Sequence, residues 1–129
     1  MIVMTARVIH GLRRGKNLGF PTANVRHRIG QAPPDGIYAA WAFMNRQWYR
    51  AAVSVGRNRT FGASHATIEA HLLDWHGIAY GRILTLIFAH RIRSMRRFTT
   101  ANDLASAIRR DIQNIKNILV PRCGRSGVS

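Results

Sequence analysis

The chain has 129 residues, 47% of them hydrophobic, and carries 18 arginines and 2 lysines against five acids, a formal net charge of +15. This length and apolar content suit one folded domain with a core of its own and exclude a disordered basic tail. The single cysteine, Cys123, excludes an internal disulfide and a cysteine-bound zinc. The longest apolar run, residues 83–89, is far short of the roughly 20 residues a membrane helix needs.

The opening MIVMTARVIH has neither the charged lead nor the sustained apolar block of a signal peptide, so a cytoplasmic protein is expected. TARVIHG (5–11) reads as a first strand. GLRRGKNLGFPTAN (11–24) then reads as a glycine-punctuated loop whose backbone can approach phosphate oxygens, with Lys16 as a point charge. It is not a Walker A loop, because Gly11 and Gly15 enclose three residues and Asn17 follows the lysine. Pro21 stiffens the exit toward Thr22 and Asn24, whose side-chain oxygens are hard ligands suited to Mg²⁺ when phosphate and water complete the shell.

Four further strands are expected at 36–44, 47–56, 66–75 and 81–92, where β-branched and aromatic residues recur between breaks such as NR and HG. Gaps this short leave no room for crossover helices, which points to an antiparallel barrel or sandwich. From Thr100 the period changes. Leu104, Ile108, Ile112, Ile115 and Leu119 fall at three- and four-residue spacings, one stripe of an amphipathic helix expected to pack on the strands. Pro121 stops it, and residues 121–129 are expected to form a flexible tail. The expected architecture is therefore a small β-barrel with one long C-terminal helix over 1–120.

Among the five acids, Asp35 precedes Gly36 in a turn signal, Asp103 stands three residues after Thr100 as in a capping box, and Asp111 lies inside the helix. Glu69 and Asp74 have no evident local structural task, and Glu69 is the only glutamate. Period-2 alternation in ATIEAHLLD sends Ile68, Ala70 and Leu72 to the core, and Thr67, Glu69 and His71 to solvent or a cleft. Alternation alone does not separate a solvated glutamate from a functional one. The six histidines show no metal-ligand spacing, and the NRT sequon at 58–60 is expected to be idle.

Several segments, in order and at matching spacing, carry a family resemblance: GKNLGFPTAN, PDGIYAA, VSVGRNRTFG, IEAHLLD, YGRIL and RIRSMRRF. Over residues 5–117 the chain resembles the riboflavin kinase family, in particular the kinase module of bacterial bifunctional FAD synthetases. The resemblance implies a six-stranded antiparallel Greek-key barrel with a C-terminal helix. It implies transfer of the ATP γ-phosphate to the 5′-hydroxyl of riboflavin, with Mg²⁺ or another divalent cation. It assigns Gly11, Lys16, Thr22, Asn24, Leu86, Ala89 and Ile92 to ATP, with Thr22 and Asn24 also holding the metal. Glu69 falls on the catalytic base and would also touch the flavin, together with Arg93, Arg96 and Phe98. Arg59 stands where the family has proline, and Ser94 and Met95 follow Arg93 where the family differs.

With no adenylyltransferase segment in the chain, FMN and not FAD is the expected product of a monomer with no membrane partner. The competing reading is a non-catalytic basic barrel that binds RNA or single-stranded DNA, with Trp41, Trp48 and Tyr49 as stacking surfaces.

Overall fold

Alternating apolar residues build six strands whose pairing closes on itself. The computed structural model describes residues 2–9, 20–28, 32–57, 65–77 and 79–120. The strands are β1 (Ile2–Ile9), β2 (Ala23–Arg28), β3 (Gly36–Met44), β4 (Gln47–Arg57), β5 (His65–Leu72) and β6 (Ile83–Arg93), followed by the helix α1 (Ala101–Ile118). Every pairing is antiparallel, in the order β1-β2-β5-β4-β3-β6, and β6 returns to β1. Strands β3, β4 and β5 form a meander, while the passage from β2 to β3 skips two strands in Greek-key fashion. Closure leaves no strand edge to be protected from foreign pairing.

The interior takes every second residue. Val53, Val55, Ile68 and Ala70 are fully buried, as are Met44, Leu84 and Leu86 from neighbouring strands. The expected inward set of β5, namely Ile68, Ala70 and Leu72, is the observed one.

Between β3 and β4 the NR break is a two-residue turn with positive φ at both Asn45 (53°) and Arg46 (65°), the primed geometry whose twist matches flanking strands. At the start of β3, Gly36 is needed for close approach. A Cβ there would lie 3.0 Å from the carbonyl oxygen of Arg93 and 2.8 Å from Nε of Arg91. Arg91 donates to the backbone oxygen of Asp35 at 2.9 Å, and the Asp35 carboxylate accepts from Arg57.

Two expectations change. The loop expected over 11–24 ends sooner, because Ala23 and Asn24 already belong to β2. That strand carries only Ala23 and Val25 as apolar residues, so its signal is weak beside those of β3 or β6. The helical stripe also divides. Ile115 and Leu119 are buried with Ala39 and Leu73, flanked by Ala52, Ala89, Ile92 and Ile112, where small side chains let the helix come close. Full burial of Ile115 contributes about 1.5–3 kcal/mol. Leu104 and Ile108 do not join that cluster; they face a cavity. The helix begins as its sequence signals, with Thr100 Oγ1 accepting from the Asp103 N–H at 3.0 Å.

Candidate active site

The outward face of β5 organises the site. Glu69 lies opposite Asn24 of β2 on one side and Ser54 of β4 on the other. The same row continues through Ile37 of β3 to Arg93 of β6. Five strands thus contribute one residue each to a line across the outside of the barrel.

Beside this line, a cavity of about 220 Å³ opens between the barrel, the segment after β6 and the first half of α1. Phe20, Met95, Phe98, Leu104 and Ile108 form most of its apolar wall, and Thr22, Glu69, Arg93 and Arg96 supply polar groups.

The residues before β2 are tied to the outward side chains of β5. Thr22 Oγ1 donates to Glu69 Oε1 at 3.2 Å. Two residues along the strand, His71 Nδ1 lies 2.8 Å from the carbonyl oxygen of Pro21, and Phe20 meets the imidazole edge-on at 5.8 Å between ring centroids.

Asn24 is 5% exposed although it sits on the outer face, and its Oδ1 has no hydrogen-bond partner among the described residues. A buried amide oxygen left unpaired costs about 1–3 kcal/mol, so its presence calls for a ligand. Thr22 can donate its proton to Glu69 and still offer oxygen lone pairs. One hydroxyl and one orphaned carboxamide oxygen are the donor chemistry a hard divalent cation takes. On this test the residues present fit Mg²⁺.

At the opposite end of the row, Arg93 is held by Asp111 of α1. Its Nε lies 2.9 and 3.2 Å from the two carboxylate oxygens, and a second nitrogen lies 2.8 Å from Oδ2. Phe98 receives two cations, Arg93 at 5.8 Å and Arg96 at 5.5 Å from its ring centroid.

Of the residues expected at the site, Thr22, Glu69, Arg93, Arg96 and Phe98 line this same cavity, and Asn24 neighbours Glu69. Gly11 and Lys16 lie outside the described residues, as does Arg59. Leu86 is buried in the barrel interior, and Ala89 and Ile92 pack under the helix, so none of these three lines the cavity. Sequence reasoning missed His71, Met95, Leu104, Ile108 and the charge pairing of Asp111. His71 alone carried a usable signal, since it shares a strand face with Glu69. Of the aromatics expected to stack, Trp41 and Trp48 line one surface pocket together, while Tyr49, adjacent to Trp48 in β4, lies on the opposite face.

This fold and site define a class: a closed six-stranded antiparallel β-barrel with a carboxylate at a cleft on its outer face. More narrowly, the chain belongs to the flavokinase family, whose model, described as riboflavin kinase, matches residues 1–119. It is similar to the bifunctional riboflavin kinase/FMN adenylyltransferase of Pseudomonas fluorescens, 32% identical over 123 residues, covering 95% of this chain and 40% of that protein. It is also similar to an RNA-binding riboflavin kinase of Bacillus subtilis, 33% identical over 113 residues, covering 87% of this chain and 49% of that one. Among solved structures, riboflavin kinase from Trypanosoma brucei superposes with a TM-score of 0.69 at 25% identity, covering 91% of this chain and 78% of that one. The chain thus spans less than half the length of either bacterial relative.

Proposed function

We propose that this chain is a riboflavin kinase, moving the γ-phosphoryl group of ATP to the 5′-hydroxyl of riboflavin to give FMN and ADP. The observation that carries this reading is the placement of the lone glutamate. Glu69 stands at the wall of an apolar cavity, hydrogen-bonded by Thr22 and opposite the buried Asn24, whose Oδ1 has no partner among the described residues.

An alcohol is a poor nucleophile, and a carboxylate in reach accepts its proton as the new bond forms. In this reading Glu69 takes the proton of the 5′-hydroxyl, the 5′-oxygen bonds to the γ-phosphorus, and the β–γ bridging bond breaks with its electrons leaving on ADP. Thr22 orients the carboxylate. The apolar wall made by Phe20, Met95 and Phe98 suits the flat flavin ring, with Arg93 and Arg96 at its polar edge. Thr22 and Asn24 would hold Mg²⁺, which when bound neutralises phosphate charge. Positioning and neutralisation supply most of the catalysis in phosphoryl transfer, and Gly11 and Lys16 belong to the same phosphate-binding role.

The test is incubation of the purified chain with riboflavin, ATP and Mg²⁺, followed by chromatography. FMN and ADP are expected in equal amounts, without FAD. Folded protein that yields no FMN would overturn the reading. We expect the enzyme to act as a cytoplasmic monomer. Among the described residues no helix is long and apolar enough to cross a membrane.

A second reading, a basic barrel that binds RNA, draws on the net charge of +15 and on similarity to the RNA-binding riboflavin kinase of Bacillus subtilis. Binding of a single-stranded RNA whose affinity falls steeply between 50 and 200 mM salt, a range in which polyanion binders lose orders of magnitude, would support it.

A further inference from the structure

His71 lines the same cavity as Glu69 and has been given no task by the reaction above. Its surroundings are specific. The Pro21 carbonyl can only accept, so the 2.8 Å contact requires the proton on Nδ1, with the imidazole donating. Phe20 packs edge-on against the same ring. One residue beyond Pro21 stands Thr22, bonded to Glu69, and three beyond stands Asn24 with its orphaned oxygen.

Residues 20–24 are therefore stapled to β5 at two outward positions, by His71 at Pro21 and by Glu69 at Thr22. Main-chain pairing takes over only from Ala23, opposite Ala70. Proline has no N–H and so cannot donate to the ladder itself. Its carbonyl is the only backbone hydrogen-bonding group it offers, and His71 is what holds it.

We infer that His71 is a positioning residue for the phosphate side of the site: its bond to the Pro21 carbonyl sets where the Thr22 hydroxyl and the Asn24 carboxamide stand. The inference rests on the proposed roles of Thr22 and Asn24. It assigns His71 neither proton transfer nor a ligand bond. Loss of the bond should weaken binding of Mg²⁺-bound nucleotide, and any N–H donor at the same point should restore it.

The test uses His71→Ala, His71→Asn and His71→Gln in the full chain, with Mg²⁺–ADP titrated calorimetrically, so that no turnover is needed. Asparagine carries an N–H donor at the δ position, where Nδ1 stands, while glutamine carries it one bond farther out. Loss of one hydrogen bond corresponds to roughly a three- to tenfold weaker affinity. That loss is expected for His71→Ala and His71→Gln, with His71→Asn within about twofold of wild type by the same scale. The gap between affinities for ADP with Mg²⁺ and with EDTA should shrink in the two weakened variants.

Equal losses in His71→Asn and His71→Ala would overturn the inference, since they would make the ring surface the important feature and not the carbonyl bond. Wild-type affinity in His71→Ala would overturn it as well. Should His71→Ala fail to fold, His71→Gln against His71→Asn decides on the same criterion. Wild-type protein that binds Mg²⁺–ADP but makes no FMN sinks the kinase reading and leaves this comparison intact; one that binds no nucleotide sinks both.

Discussion

The guanidinium of Arg93, at the end of β6, is bound through two nitrogens to the carboxylate of Asp111 in the middle of α1, with its closest contact at 2.8 Å. Asp111 is only 6% exposed, and this pair joins the helix to the barrel at the rim of the cavity. Planar, bidentate geometry of this kind is both stronger and more directional than a single point contact.

The pair should hold the flavin side of the site in shape. Asp111→Asn keeps the size of the side chain but removes the charge, and a hydrogen bond to a charged group contributes about 1.5–3 kcal/mol. A stability loss in that range is expected in urea denaturation, with riboflavin affinity falling and Mg²⁺–ADP affinity unchanged. Wild-type stability and riboflavin affinity in the variant would show that the contact does neither job.

Glu69→Gln tests the base directly. The amide oxygen of glutamine can still accept from Thr22, so the local geometry survives while proton acceptance is lost. FMN formation should fall by about 10²–10⁴. Nucleotide affinity, read by calorimetry, should stay near that of wild type. A rate within a few-fold of wild type would remove Glu69 from the chemistry.

Asn24→Leu should trade binding for stability. An Oδ1 without a partner among the described residues costs about 1–3 kcal/mol, and replacing it with an apolar group of similar shape recovers part of that cost. The variant is expected to melt at or above the wild-type temperature without ligands and to lose the stabilisation that Mg²⁺ with ATP confers on wild type. A clear drop in ligand-free melting temperature would mean that the oxygen is satisfied in solution.

The divided helical stripe predicts two different phenotypes. Ile115→Ala empties a fully buried position under the helix and should cost about 2–5 kcal/mol. Ile108→Ala removes surface from the cavity wall and should weaken riboflavin binding with a much smaller effect on stability. Matching urea midpoints for the two variants would contradict the division.

Local pattern went far here. β-Branched and aromatic residues between turn breaks located β3 to its residue, and alternation assigned the inward and outward faces of β5, because side chains in a strand must alternate. The Thr100 cap was readable for the same reason, since a cap satisfies donors only a few residues away. β2 was not, because its two apolar residues carry little signal and its strand character depends on pairing with Ile68 and Ala70, more than forty residues away.

What the sequence by itself determined was five of the six strands and the helix, the core face of β5, an antiparallel all-strand architecture and the family likeness that singled out Thr22, Asn24, Glu69, Arg93, Arg96 and Phe98. Tertiary structure alone decided how these meet. It placed Asn24, Glu69, Ser54, Ile37 and Arg93 in one row across five strands, turned Leu104 and Ile108 toward a cavity, paired Asp111 with Arg93, and set His71 on the Pro21 carbonyl. Faces and caps follow from bonding between near neighbours along the chain, whereas these contacts follow from strand register and helix docking, which no local period encodes.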